Sequence, residues 1–266
     1  MSRRFKSGRF LTGQRGFSLV ELSIAVLIAL FLLGGLVTLV MGTRRSSATQ
    51  SQLATLQDNE RIAMTLMTNV IQQAGYYPNP TTLTNASFAA EASAAGAFAV
   101  GQPLAGAYSA VAPGDKIAAR FISPQNDATT NNTIVNCAGT SNSTGSAMTY
   151  TNLFQVATVN GVPTLQCVLS QNGVVQAPVV NLVSGVQSIS VMYGVSSSTA
   201  VDNNVITYEN AAAANANPTD WTRVTAVKLR LTFQVPQYGS TGGQASSQTQ
   251  YLERVIPIMG RAGINN

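Results

Sequence analysis

The chain has no histidine, only two cysteines and a single tryptophan, and only 9% of its 266 residues are charged. Without histidine there is no histidine general base, no Ser-His-Asp triad and no histidine metal site. Cys137 and Cys167 stand thirty positions apart, and two thiols at that spacing do not make a zinc site. No glycine-rich nucleotide motif is present either. Acids are scarce and scattered. Asp115, Asp127, Asp202, Glu209 and Asp220 are the ones from which a carboxylate pair or a calcium site could be built, yet they read as solvated loop acids. Asp202-Asn203-Asn204 lacks calcium-loop spacing. The expectation is a protein that is not an enzyme and carries no cofactor and no metal.

Acidic residues are also missing from the first sixteen positions, MSRRFKSGRFLTGQRG, where Arg3, Arg4, Lys6, Arg9 and Arg15 stand alone. All ten acids lie after Gly16, together with the other ten basic residues. Removing the leader therefore takes the formal charge from +5 to zero. The basic character belongs to the leader, and nucleic acid is not expected as a partner. From Leu22 to Met41 twenty residues carry no charge. At about 1.5 Å per residue they cover roughly 30 Å, the thickness of a bilayer's hydrocarbon core. The positive-inside rule keeps the leader in the cytoplasm and exports the chain beyond the apolar run. The run ends in Met41-Gly42-Thr43-Arg44-Arg45, a poor match to a signal-peptidase site, and the small residue Gly16 lies before it. In an oxidising compartment Cys137 and Cys167 would pair as one disulfide, worth about 3–4 kcal/mol by loop closure; the alternative is two buried free thiols.

Gly16-Phe17-Ser18-Leu19-Val20-Glu21 resembles the type IV prepilin processing signal. The resemblance implies that a prepilin peptidase cuts after Gly16 and methylates the new amino terminus at Phe17. Glu21 then matches the glutamate at the fifth mature position. Further along, Ala74-Gly75-Tyr76, Gly185-Val186, Ile189 to Val195 and Trp221 ahead of Val224 to Leu231 are similar in order to the PilW family of minor pilins, relatives of the J-type minor pseudopilins. The polar stretches 124–149 and 196–220 add nothing to that similarity.

A lone carboxylate in an apolar span costs a few kcal/mol, less near its end where it can snorkel to water. The resemblance supplies a partner: the Phe17 amine, of the same chain or of a neighbouring subunit. Exposed N–H groups at the helix start also favour Glu21, whereas they disfavour the amine. Such a pair would set the axial register of an incoming subunit. The plainer reading is that Glu21 caps the first turn at the membrane surface. Gly34-Gly35 weakens the apolar helix by roughly 1 kcal/mol per glycine. It reads as a close helix contact, as a place of local loosening, or as simple tolerance. Arg44 and Arg45 would meet lipid headgroups or an acidic neighbour.

Leu53, Leu56, Ala63, Met67, Val70 or Ile71, and Ala74 continue an apolar stripe at helical spacing, with no proline between Phe17 and Tyr77. One helix of about sixty residues is expected, open to bending at Gly42 and ended by Gly75 ahead of Pro78 and Pro80. Residues 81–112 read as loop with a short helix. Strands are expected at Asp115–Phe121, at Leu153–Val159 and Thr164–Leu169 around an Asn160-Gly161 hairpin, at Val186–Tyr193, at Val227–Val235 and at Tyr251–Ile256. Cys167 would staple the loop holding Cys137 to the second hairpin strand. In the strand from Val227, alternate residues Val227, Leu229, Leu231, Phe233 and Val235 face the core. Trp221, Tyr208 and Tyr193 pack in the core or at a sheet edge; the alternative is a binding edge.

The expected architecture is α+β and type IV pilin-like: a long N-terminal helix, its first half transmembrane, packed against a C-terminal antiparallel sheet. The parts are a leader (1–16), a membrane and polymerisation half-helix (17–41), an amphipathic half-helix (42–75) and a β-rich head (76–266). Before assembly the protein would sit in the inner membrane with a periplasmic head, and afterwards in the pilus, at its tip. Its partners would be the prepilin peptidase, other minor pilins, the major pilin, membrane lipid and, as a further candidate, a tip adhesin. Three functions compete: a minor pilin that starts the fibre or forms its tip; a minor pseudopilin of a type II secretion system; and a membrane-tethered periplasmic hydrolase or binding module.

Overall fold

A computed structural model describes residue 16 and residues 18–79, 87–126, 134–197, 204–235 and 249–259. Residues 1–15 of the leader, Phe17, Asp127 and Asp202 lie outside the described residues. The chain divides into two compact units, Met1–Gln50 and Ser51–Asn266. Helix α1 (Leu19–Gln72) contributes to both.

In the second unit α1 buries Leu56, Ala63, Met64, Met67, Val70 and Ile71, the stripe that the spacing predicts. Leu53 departs from it and is exposed, one turn beyond the covered part of the helix. The helix ends at Gln72 and the chain then turns at Gly75, whose φ of +79° suits glycine. Its amide donates to the Arg120 carbonyl (2.9 Å), and Ile122 N–H donates to the Tyr76 carbonyl (2.9 Å). The chain leaving the helix is thus stitched to a strand at once.

Ten strands follow it among the described residues. The first sheet holds β1 (Leu104–Ala107), β2 (Lys116–Ser123), β3 (Met148–Val159), β4 (Val162–Gln171) and β5 (Val174–Val175) in that order, with β6 (Val180–Ser184) also on β4. The second holds β7 (Val186–Ser196), β8 (Val205–Glu209), β9 (Val224–Gln234) and β10 (Thr249–Pro257), in the order β10-β9-β7-β8. All these pairings are antiparallel. A short helix α2 (Ala211–Ala216) and a 3-10 turn (Asp220–Arg223) lie between β8 and β9. One core joins residues from Leu56 to Ala74 of α1 to the inner faces of both sheets. The fold is α+β as expected, with two antiparallel sheets where the sequence suggests one.

The predicted strands are present. Asn160 (φ 50°) and Gly161 (φ 81°) turn β3 into β4, the double positive φ that an Asn-Gly hairpin needs. Asn172 (φ 47°) and Gly173 (φ 78°) make a second such turn into β5. Val227, Leu229, Leu231 and Phe233 are buried, with Lys228, Arg230, Thr232 and Gln234 on the wetter face. The reading of 81–112 as loop is corrected by β1, which has no β-branched residue and is held by burial and by β2. Likewise the polar stretch 196–220 holds β8 and α2; Asn210 caps α2, its side-chain oxygen accepting from Ala213 N–H (3.0 Å).

Three links lock the head. Cys137 and Cys167 form a disulfide with Cα atoms 6.2 Å apart, fastening the loop before β3 to β4. Asp115 is only 4% exposed. Its two carboxylate oxygens accept from Ser109 N–H and Val191 N–H, both at 2.8 Å, and its own amide donates to the Ile189 carbonyl (2.8 Å). It clamps the β1–β2 connection onto β7, so the reading of Asp115 as a solvated acid is wrong. Arg120, 1% exposed, is the third link. Its guanidinium donates to the carbonyls of Gln102 (2.6 Å), Ala99 (2.8 Å), Ala89 and Phe88, and lies between the rings of Phe88 and Phe98. Burial lowers its pKa to about 10, against the upward pull of Glu91, so it stays charged near neutrality. One side chain thereby holds the segment 88–102 against β2.

Candidate assembly surface

The first turn of α1 begins with Leu22 N–H on the Ser18 carbonyl (3.1 Å). Gly16 and Glu21 are exposed, and Glu21 is the acid of that turn. The structure describes the positions flanking Phe17 but not Phe17, so Glu21 and the amine that it would meet are not seen together.

Leu22 to Met41 is exposed throughout, and this helix is long and apolar enough to cross a membrane. Leu19 is 83% and Phe31 80% exposed. A surface of this size is not stable in water alone; it marks contact with lipid or with other chains. Polar groups inside it satisfy themselves locally: Ser23 Oγ donates to the Val20 carbonyl (2.8 Å), Thr38 Oγ1 to Gly35 (2.8 Å) and Thr43 Oγ1 to Val40 (2.9 Å). The helix runs unbroken through Gly34, Gly35 and Gly42. A methyl group at any of them would meet nothing within 4 Å. Among the described residues these glycines therefore make no close contact. Arg44 and Arg45 come next on the same helix, exposed.

In the head, Tyr193 and Trp221 are buried and meet edge to face at 4.7 Å, while Tyr208 is 39% exposed on edge strand β8. The first two are core residues. The acids are less solvated than the sequence suggests. Asp220 is 7% exposed and forms an ion pair with Arg223. Among the described residues no group of three potential metal ligands occurs. Glu60, 7% exposed on the inner side of α1, has a buried oxygen without a donor, and burial raises its pKa.

Sequence reasoning missed Arg120 and misread Asp115 and Asp220, which are buried and paired. A lone arginine inside the apolar run Ile117-Ala118-Ala119-Arg120-Phe121-Ile122 was the available signal for the first. Nothing local marks Asp115, whose partner Val191 lies on a distant strand.

An exposed apolar N-terminal helix whose other half packs under an antiparallel β head defines a type IV pilin-like protein. The family model described as "Type IV Pilus-assembly protein W" matches residues 153–257, from within β3 to the end of β10, less than half of the chain. Among solved structures the chain is similar to the type IV-like pilin TTHA1219 from Thermus thermophilus. That match has 13% identity and a TM-score of 0.42, and covers 77% of this chain and 96% of that one. No curated protein matches it.

Proposed function

We propose that this protein is a minor pilin that helps start type IV pilus assembly or forms part of the tip complex. The prepilin peptidase cuts after Gly16 in the inner membrane and methylates the Phe17 amine. The leader stays cytoplasmic and the head lies in the periplasm until assembly. The apolar half of α1 then leaves lipid for the helices of other pilins, and Glu21 receives the Phe17 amine of a neighbouring subunit as it docks. The observation that carries this reading is the single acid in the first turn of a helix whose apolar surface is exposed among the described residues. In hydrocarbon an unpaired carboxylate is costly, so a cation arriving at that depth is selected for position as well as charge.

Changing Glu21→Ala tests it. The variant should still insert in the membrane and be processed, but should no longer co-isolate with other minor pilins, and pilus number should fall. Normal pilus number with normal co-isolation would refute the role of Glu21.

A further inference from the structure

Two Asn-Gly turns close hairpins of the first sheet. Asn160 (φ 50°) and Gly161 (φ 81°) join β3 to β4, and Asn172 (φ 47°) and Gly173 (φ 78°) join β4 to β5. Both asparagines are exposed, and a Cβ built at either glycine would meet nothing within 4 Å. The two turns share dipeptide, backbone shape and solvent access. Their side chains differ. Asn172 Oδ1 accepts from Thr149 N–H (2.9 Å), and the Asn172 amide donates to the Thr149 carbonyl (2.8 Å). Among the described residues the Asn160 side chain has no hydrogen-bond partner.

We propose that Asn160 is a site of spontaneous deamidation and that Thr149 protects Asn172 from the same chemistry. The Gly161 amide nitrogen gives up its proton to solvent and attacks Asn160 Cγ. Glycine leaves that nitrogen unshielded, because it has no Cβ. The new N–Cγ bond closes a succinimide ring, the Cγ–Nδ2 bond breaks, and Nδ2 takes a proton from solvent and leaves as ammonia. One water then opens the ring. Addition at Cγ gives aspartate, and addition at the main-chain carbonyl carbon of residue 160 gives isoaspartate. In sum one water is consumed and one ammonia released, with nothing oxidised or reduced. Asn172 Cγ reaches its glycine nitrogen only after the Thr149 bond breaks. Either product puts a carboxylate on the turn, and isoaspartate also adds a methylene to the backbone of a loop whose length fixes the register. The Val159–Val162 pair flanks that loop. Beside it, the Pro163 carbonyl accepts from Gly185 N–H (2.8 Å), and the Gly185 carbonyl accepts from Gln234 N–H (3.2 Å). Those two bonds tie β4 to the corner between β6 and β7 and on to β9, from one sheet to the other. Isoaspartate at position 160 therefore loosens the seam between the sheets.

The wild-type full chain in detergent micelles is aged in mildly alkaline buffer, and peptide mass spectrometry follows both asparagines. Conversion at Asn160 should run roughly tenfold faster than at Asn172, the retardation that one hydrogen bond of ordinary net strength can give. In urea, where Thr149 no longer holds Asn172, the two rates should converge. Equal rates in the folded chain, faster conversion at Asn172, no conversion at Asn160, or a gap that persists in urea would overturn the proposal. Hydrogen exchange at the Gly185 and Gln234 amides should rise with the isoaspartate fraction at position 160; unchanged exchange there would refute the link to the seam.

Discussion

Replacing Arg120 with methionine keeps most of the buried stem and removes the guanidinium. Its partners set the consequence. Four carbonyls, those of Phe88, Ala89, Ala99 and Gln102, accept from it in a place where water does not reach the side chain. A hydrogen bond to a charged group contributes about 1.5–3 kcal/mol, and a buried acceptor left without a donor costs about 1–3 kcal/mol. These contributions overlap, since the charge itself is expensive to bury, and breaking such a network costs about 3–5 kcal/mol in practice. For a unit of this size each kcal/mol moves Tm by about 2–4 °C, so a fall of about 6–20 °C is expected. Arg120→Lys should recover little, because one ammonium cannot reach carbonyls spread around a planar fork or stack between Phe88 and Phe98. Thermal unfolding of the detergent-solubilised chain, with hydrogen exchange of residues 88–102, reads both effects. A loss below about 1 kcal/mol, or unchanged protection of that segment, would refute the claim that one side chain organises it.

Reducing the Cys137–Cys167 disulfide, or changing both residues to serine, should destabilise the head by about 3–4 kcal/mol in chemical denaturation. Gly114→Ala should cost more than a surface change, because its methyl would lie 2.1 Å from the Ile189 carbonyl oxygen; a thermal shift indistinguishable from wild type would contradict that contact. Glu60→Gln should stabilise the head at neutral pH by about 1–3 kcal/mol. Since burial raises the Glu60 pKa, its wild-type contribution is most favourable below the ordinary glutamate value and is lost as pH rises through the folded value. The variant should therefore flatten the stability–pH curve.

The parts legible in the sequence are those written locally. The apolar run, the stripe from Leu56 to Ala74 and the Asn160-Gly161 turn each carry their period or turn chemistry in a short window. Asn172-Gly173 carried the same turn signal, though the two-residue strand after it is too short to show a pattern. β1 was hidden because Leu104-Ala105-Gly106-Ala107 lacks strand formers, and Gly106 is required there: a Cβ would strike the Tyr193 ring. The buried acids were hidden for a different reason. Asp115 is bonded to Val191, seventy-six positions away, and no local rule distinguishes such an acid from a solvated one.

The central claim, that Gly16-Phe17 is a processing junction ahead of an assembly helix, is tested most directly by intact mass measurement of the membrane-bound protein. The account predicts a chain beginning at Phe17, lighter by residues 1–16 and heavier by one methyl group, and retained with leader attached when Gly16 is replaced by a bulky residue. A mature protein that still begins at Met1 would contradict it.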